Sequence, residues 1–391
     1  MASLTPISSI LRLNSSLRSS LRASSLFHHR NVFPQFVRLK STTNDKQPTL
    51  LNSSSQLSPS KSSPTPLAEP VFTPEERLAA AEARIAGLGP IVGRLPTKWI
   101  PYAELMRLEK PVGTWLLLIP CTWSILIAAI QTTAPLLLTV KTLGIFAFGA
   151  LVMRGFGCTV NDLLDRNLDN QVARTIERPL ASKRVSVKQA LVFGGAQLGV
   201  GLGVLLQLPW DCFYIGAASL LPVCTYPLFK RFTYYPQAVL SFAFNWGAIL
   251  GFPAMGLVDW SVMLPLFASS FCWTMVYDTI YAHQDKKFDV KAGIKSTALA
   301  WGENSKKIFT GLTVTQLGFL GLAGWNAGII AMPGFIMGST YFGYKLFEMI
   351  KKVNLDDPKN CWSFFLANIK YGFYVTFGLG LDYILSSLGF W

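Results

Sequence analysis

From about residue 112 to the C-terminus the chain alternates long apolar blocks with short polar stretches, while its first hundred residues are polar. A helix needs about 20 apolar residues to cross bilayer hydrocarbon. Nine blocks approach that length, at 113–131, 137–160, 189–207, 212–229, 237–257, 261–281, 308–325, 327–345 and 370–388. The pattern predicts an all-α membrane protein of about nine transmembrane helices. Its connections alternate too. Those after blocks one, three, five and seven are short and nearly uncharged. Those after blocks two, four, six and eight carry most of the lysines and arginines beyond residue 112, among them Arg166, Arg174, Arg178, Lys230, Arg231, Lys286 and Lys295. By the positive-inside rule the N-terminus and the charged loops face the interior side.

Composition agrees: 51% of residues are hydrophobic and 14% charged, against about 25% charged in soluble domains. The net charge of +14 raises the question of nucleic acid. The cations sit in a leader and in interblock loops rather than on a soluble basic face, so membrane lipid is the expected surrounding and no nucleic-acid partner is expected. The six cysteines have no CxxC spacing, and five lie in apolar blocks. They read as small buried hydrophobes, not as a zinc site or disulfide framework.

Residues 1–44 contain no Asp or Glu but carry Arg12, Arg18, Arg22, Arg30, Arg38, Lys40 and ten serines. Basic, Ser-rich and acid-free composition is that of an organellar transit peptide. Ile10, Leu11, Leu13 and Leu17 beside Arg12 and Arg18 favour a mitochondrial amphipathic helix, with a plastid leader as the alternative. Residues 45–95 read as a flexible linker interrupted by a short surface helix at 74–86. Thr73 caps it, Pro74 suits its first position, Glu76 completes a capping box, and Gly87 and Gly89-Pro90 stop it. No chemistry is expected there. The membrane domain spans 96–391.

Two acidic constellations stand out. The second block ends with Asn161, Asp162, Asp165 and Asp169, and the sixth with Asp278, then Asp285 and Asp289. If each helix continues, spacings of three, four and seven put these oxygens on one face. Arg154 precedes Asn161 by seven residues, inside the apolar block. A mid-bilayer carboxylate costs about 2.5–3.5 kcal/mol on insertion scales, and clustered carboxylates repel further. Hard oxygen donors without His or Cys suit Mg²⁺, which is commonly shared with substrate phosphates. The alternative is two solvated helix ends salt-bridged to neighbouring Lys and Arg.

At these residues the chain resembles the UbiA superfamily of intramembrane prenyltransferases, over about residues 95–390. Asn161, Asp162, Asp165 and Asp169 meet its Asn-Asp-x-x-Asp-x-x-x-Asp pattern. Asp285 and Asp289 meet its Asp-x-x-x-Asp pattern, downstream of Tyr277-Asp278-x-x-Tyr281-Ala282. The strings Met106-Arg107-Leu108-Glu109-Lys110-Pro111-Val112-Gly113-Thr114, Met153-Arg154-Gly155, Arg178-Pro179-Leu180 and Gly293-Ile294-Lys295-Ser296-Thr297 resemble the 4-hydroxybenzoate branch, and the leader that of mitochondrial ubiquinone-pathway enzymes.

The resemblance implies a nine-helix bundle around a central cavity with a lateral opening, and Mg²⁺-dependent transfer of a polyprenyl group from polyprenyl diphosphate to the ring carbon ortho to the hydroxyl of 4-hydroxybenzoate. On that reading Asn161, Asp162, Asp165, Asp169, Asp285 and Asp289 hold metal. Arg174, Arg178, Lys286 and Lys295 are candidates for the diphosphate. Asp278, followed by Tyr281, is the candidate base for the ring proton, or a further metal ligand. Arg107 and Arg154 are candidates for the aromatic carboxylate. Asn161 and Asn245 are expected to face the cavity. The expected location is the mitochondrial inner membrane with active-site loops towards the matrix, in association with other quinone-biosynthesis enzymes. Alternatives are another prenyltransferase of this type, acting on haem or homogentisate, and a secondary transporter.

Overall fold

A computed structural model describes residues 72–171, 175–286, 289–290 and 293–390. The expected transit peptide, the linker up to residue 71, and Arg174 lie outside the described residues. Every regular element among them is helical. Helix α1 (Pro74–Ala86) starts where Thr73 accepts the Glu76 N–H at 3.2 Å and the Glu76 carboxylate accepts the Thr73 N–H at 2.9 Å. Two short helices, α2 (Gly89–Val92) and α3 (Ile100–Leu105), lead into the membrane domain.

The domain continues as α4 (Val112–Gln131), α5 (Leu136–Asp165), α6 (Val187–Leu205), α7 (Trp210–Ala218) and α8 (Leu220–Phe229). After them come α9 (Pro236–Phe244), α10 (Trp246–Ala254), α11 (Trp260–Ala282), α12 (Thr297–Trp301), α13 (Ser305–Asn326), α14 (Pro333–Lys352) and α15 (Pro358–Ser387). Among the described residues six stretches are long and apolar enough to cross a membrane: 112–131, 136–165, 187–205, 210–229, 260–282 and 297–326. The expected count of nine is not reached on that measure, and the reasons are local. The 237–257 block is divided at Asn245 into two nine-residue helices. Helix α14 carries Lys345, Glu348, Lys351 and Lys352, and α15 carries Lys359, Lys370 and Asp382, which dilute their apolar character.

Helix α4 is the axis of the packing. Its apolar window is 83% buried against protein, whereas that of α6 is 17% buried, so α4 lies inside and α6 presents most of its surface to lipid. Helix α4 packs against α15, α10 and α5, and α11 packs against α13. Trp123 of α4 stacks on Trp273 of α11 with centroids 5.4 Å apart, and Phe342 of α14 meets both rings edge-on. The indole N–H groups are satisfied inside: Trp123 donates to the Gly372 carbonyl at 3.2 Å and Trp273 to Asn368 Oδ1 at 2.9 Å. Helices α14 and α15 approach closely because Gly334, Gly338 and Gly378 lack side chains; a Cβ on Gly334 would overlap the Gly378 carbonyl. Without a hydrophobic drive between helices in lipid, such close backbone packing supplies the cohesion.

Candidate active site

The first constellation sits where α5 ends. Asp165 is the last helical residue; a turn follows, then a 3₁₀ segment at Asp169–Gln171. The expectation of one continuous helical face through Asp169 is therefore corrected. Leu168 N–H closes onto the Asp165 carbonyl at 2.8 Å, the chain bends, and Asp169 returns through Arg178 rather than through helical periodicity. All three aspartates are buried.

Each is met by cations. Arg107 Nη2 donates to Asp162 Oδ1 at 2.6 Å, and Arg178 Nη1 reaches the same oxygen at 3.3 Å. Arg178 also grips both oxygens of Asp169 at 3.0 Å. Lys230, just past α8, pairs with Asp165 Oδ2. The second oxygens, Asp162 Oδ2 and Asp165 Oδ1, are buried without a partner. Burial pushes the Asp169 carboxyl above the ordinary carboxylate range, although Arg178 opposes the shift. Burial works against the Arg107 charge, but Asp162 outweighs it and the guanidinium stays protonated well above its usual range. Arg107 has φ +57°, a left-handed conformation that costs a non-glycine residue about 1–3 kcal/mol. Its N–H and Nη1 both donate to the Glu104 carbonyl, at 3.0 and 2.6 Å.

Tyr226 and Lys230 were not among the site residues expected from sequence. The Tyr226 hydroxyl donates to Asn161 Oδ1 at 3.3 Å, four residues before Lys230 meets Asp165, itself four residues after Asn161. The matched four-residue spacing on two adjacent blocks was the available signal. Glu104 and Arg184, described below, had none.

The second constellation follows the end of α11 at Ala282. Asp285 lies in a turn, and its carbonyl accepts the Asp289 N–H at 2.9 Å. Asp285, Lys286 and Asp289 are half-buried. The Lys295 N–H donates to the Lys230 carbonyl at 3.1 Å, while its ammonium lies 5.3 Å above the Tyr234 ring and donates to the Phe232 carbonyl at 3.2 Å. Arg231 Nη2 reaches the Leu164 carbonyl at 2.8 Å. The 230–235 segment thus ties the loop of the second constellation to the end of α5. Beside it a cleft of about 440 Å³ is lined by Leu164, Arg166, Asn167, Leu168, Lys230, Arg231, Gly293 and Ile294. No motif acid lines that cleft, so it is an approach to the site rather than its centre.

Arg154 stands deeper, about three turns before the end of α5. Its guanidinium lies against Gly113, where a Cβ would fall 2.8 Å from Cζ, and 5.9 Å from the Phe244 ring centroid. Arg154 of α5 thus reaches α4 and the end of α9, which itself packs against α11. Arg154 forms no ion pair among the described residues. Asn245, at the break between α9 and α10, is fully buried. It donates to Thr274 Oγ1 at 2.8 Å, and its Oδ1 has no partner.

Two buried, unpartnered carboxylate oxygens on neighbouring turns, whose sister oxygens are held by Arg107, Arg178 and Lys230, are hard donors of the kind a divalent cation takes. Among the described residues no three Asp, Glu, His or Cys side chains form a complete cation cage. Mg²⁺ does not require one, since it commonly takes one or two carboxylates and fills its shell with water and phosphate.

The chain matches the UbiA prenyltransferase family model over residues 117–374. A Saccharomyces cerevisiae protein named mitochondrial 4-hydroxybenzoate polyprenyltransferase is 62% identical over 321 residues, covering 82% of this chain and 86% of the yeast one. A Homo sapiens protein of the same name is 47% identical over 292 residues, covering 74% and 77%. The solved apo structure of a UbiA homolog from Aeropyrum pernix K1 shares the fold, with a TM-score of 0.56 at 18% identity over 69% of this chain and 97% of that one.

Proposed function

The chain belongs to the UbiA prenyltransferase family, and we propose that it is a 4-hydroxybenzoate polyprenyltransferase of ubiquinone synthesis in the mitochondrial inner membrane. The observation that carries the chemistry is the pair of buried, unpartnered oxygens on Asp162 and Asp165 at the end of α5. A broken helix such as the one at Asn245 also serves secondary transporters. Here the acids crowd one end of the bundle beside basic loops, which suits a phosphorylated substrate better than an ion path.

Asp162, Asp165, Asp285 and Asp289 would hold Mg²⁺, with Asn161 and Asp169 beside them. When bound, the metal would neutralise charge building on the departing diphosphate. Arg178, Lys286 and Lys295 would hold the diphosphate from the loop side, and Arg174, outside the described residues, stays a candidate by its sequence position. Arg154, which unlike Arg107 forms no ion pair among the described residues, is the first candidate cation for the carboxylate of 4-hydroxybenzoate, and Arg107 the second. The allylic C–O bond breaks and its electron pair leaves with the diphosphate. The ring carbon ortho to the hydroxyl then captures the allylic carbon. Asp278 accepts the displaced ring proton, with Tyr281 one helical turn away on the same face. Apolar walls keep water from quenching the cation.

The active-site loops face the matrix on this reading. The test is incubation of membranes bearing the protein with labelled polyprenyl diphosphate and 4-hydroxybenzoate. Prenylated acid should form with Mg²⁺ and not with EDTA. No product with donors of several chain lengths would overturn the assignment.

A further inference from the structure

Helix α1 precedes the membrane domain and was expected to carry no chemistry, yet it is joined to the candidate site by buried charge. The joint is Glu104, on α3, with 6% of its side chain exposed. Its Oε1 accepts Arg84 Nη1 of α1 at 3.1 Å and its Oε2 pairs with Arg184. Arg84 Nε also lies 3.4 Å from the Glu177 carboxylate, and Arg184 donates to the Glu177 carbonyl. Arg184 Nε holds Ser182 Oγ at 3.0 Å, and that hydroxyl donates to the Arg178 carbonyl at 2.8 Å. Arg178 is one of the two arginines on Asp162 Oδ1. The other, Arg107, is held in its left-handed conformation by the Glu104 carbonyl.

We infer that Glu104 is a positioning residue for the prenyl diphosphate end of the site. Its carbonyl aims Arg107, and its carboxylate, through Arg184 and Ser182, fixes the turn that aims Arg178. Both arginines then take the same oxygen of Asp162, which leaves the other without a partner. Arg84 completes the clamp, so α1 braces this turn from outside. A residue 4% exposed overall that receives two guanidinium groups is not a surface ornament: charge-assisted bonds of this kind are about twice as strong as neutral ones, and on its loss Arg184 would lose its acid and Arg84 would keep only Glu177.

The inference rests on the prenyl-transfer reading for its kinetic test, but the brace has a readout of its own. Glu104→Gln keeps the backbone carbonyl and the side-chain shape while removing the charge. In the full-length protein in membranes, E104Q should raise the KM for polyprenyl diphosphate about tenfold, with that for 4-hydroxybenzoate changed less than about twofold. Arg184→Gln should do the same, and the double variant should lose no more than either single one, as residues acting through one contact are non-additive. Independently of turnover, amide hydrogen exchange over residues 175–184 should speed up in both variants. If E104Q does not fold, R184Q carries both measurements. Unchanged exchange in that turn, equal KM shifts for the two substrates, or fully additive losses would overturn the inference. If wild type makes no product, the prenyl-transfer reading falls and the exchange measurement still decides the brace.

Discussion

Lys230→Met tests whether a basic side chain and a divalent cation share the same carboxylate. Asp165 is 2% exposed at its side chain and Lys230 is 23% exposed. Asp165 Oδ1 already lacks a partner, so the substitution leaves both oxygens without one. Removing one member of a buried ion pair costs about 3–5 kcal/mol, and the partial exposure of Lys230 puts the loss near the lower figure. At roughly 2 °C per kcal/mol, the low end for a large domain, the apparent Tm should drop by about 6 °C in EDTA. Lys230 also repels any cation that binds Asp165. Its loss should tighten Mg²⁺ binding, and a tenfold tightening returns about 1.4 kcal/mol at saturation. The gap between variant and wild type should therefore narrow by about 3 °C in excess Mg²⁺. The assay is thermal unfolding of purified protein in detergent at one fixed heating rate, since membrane proteins rarely unfold reversibly. An equal gap in EDTA and in Mg²⁺ would refute the idea that lysine and metal meet at Asp165.

Asp165→Asn and Asp285→Asn should each abolish prenyl transfer while the protein still inserts and resists protease as wild type does; full turnover in either would remove that acid from the metal site. Arg154→Gln should raise the KM for 4-hydroxybenzoate about tenfold, the loss of one charge-assisted contact, with little change for the donor. Gly113→Ala should mimic it, because the added methyl overlaps the guanidinium; a donor-selective effect would exclude the carboxylate role. His283 is buried, and burial, then Lys286, lowers its imidazole to about 4. The unfolded state, titrating near 6.5, binds more protons than the folded one between those values. Stability should be fully present above about pH 6.5 and fall as pH drops towards 4. His283→Gln, which can keep the bond to Ser305 Oγ, should flatten that fall in a series of Tm measurements; an unchanged slope would show that another group titrates.

Hydropathy located the helices because the membrane imposes length and apolarity on every span. It did not show that the 237–257 block breaks at Asn245, because a single buried polar residue hardly alters a block average. It placed the acids on their helices but misjudged where those helices stop. Asp169 carries no sequence signal that separates a continuing helix from a turn, and Arg178, nine residues on, decides the matter by holding both Asp169 oxygens through Nη1. Gly113 was visible as part of a familiar string, yet its purpose, making room for the Arg154 guanidinium, appears only in three dimensions. The roles of Glu104 and Arg184 were not legible at all. They lie 80 residues apart, and each looks like an ordinary loop or interfacial charge until the pair is seen buried.

The balance of charge at the end of α5 reconciles the two readings that the sequence left open, helix ends in salt bridges or a metal site. Asp162, Asp165 and Asp169 meet Arg107, Arg178 and Lys230, three negative groups against three positive ones. Bare carboxylates there would be costly beside lipid, and paired ones let the helix end form without waiting for an ion. Pairing alone would also saturate the carboxylates, and here it does not: Asp162 and Asp165 each keep one oxygen in reserve. A site neutral at rest gains little from an isolated cation and much from a cation that arrives with diphosphate, whose negative charge repays the excess. On the proposed reading, salt bridges and metal binding would be successive uses of the same side chains, and the substrate itself would shift the balance from one to the other.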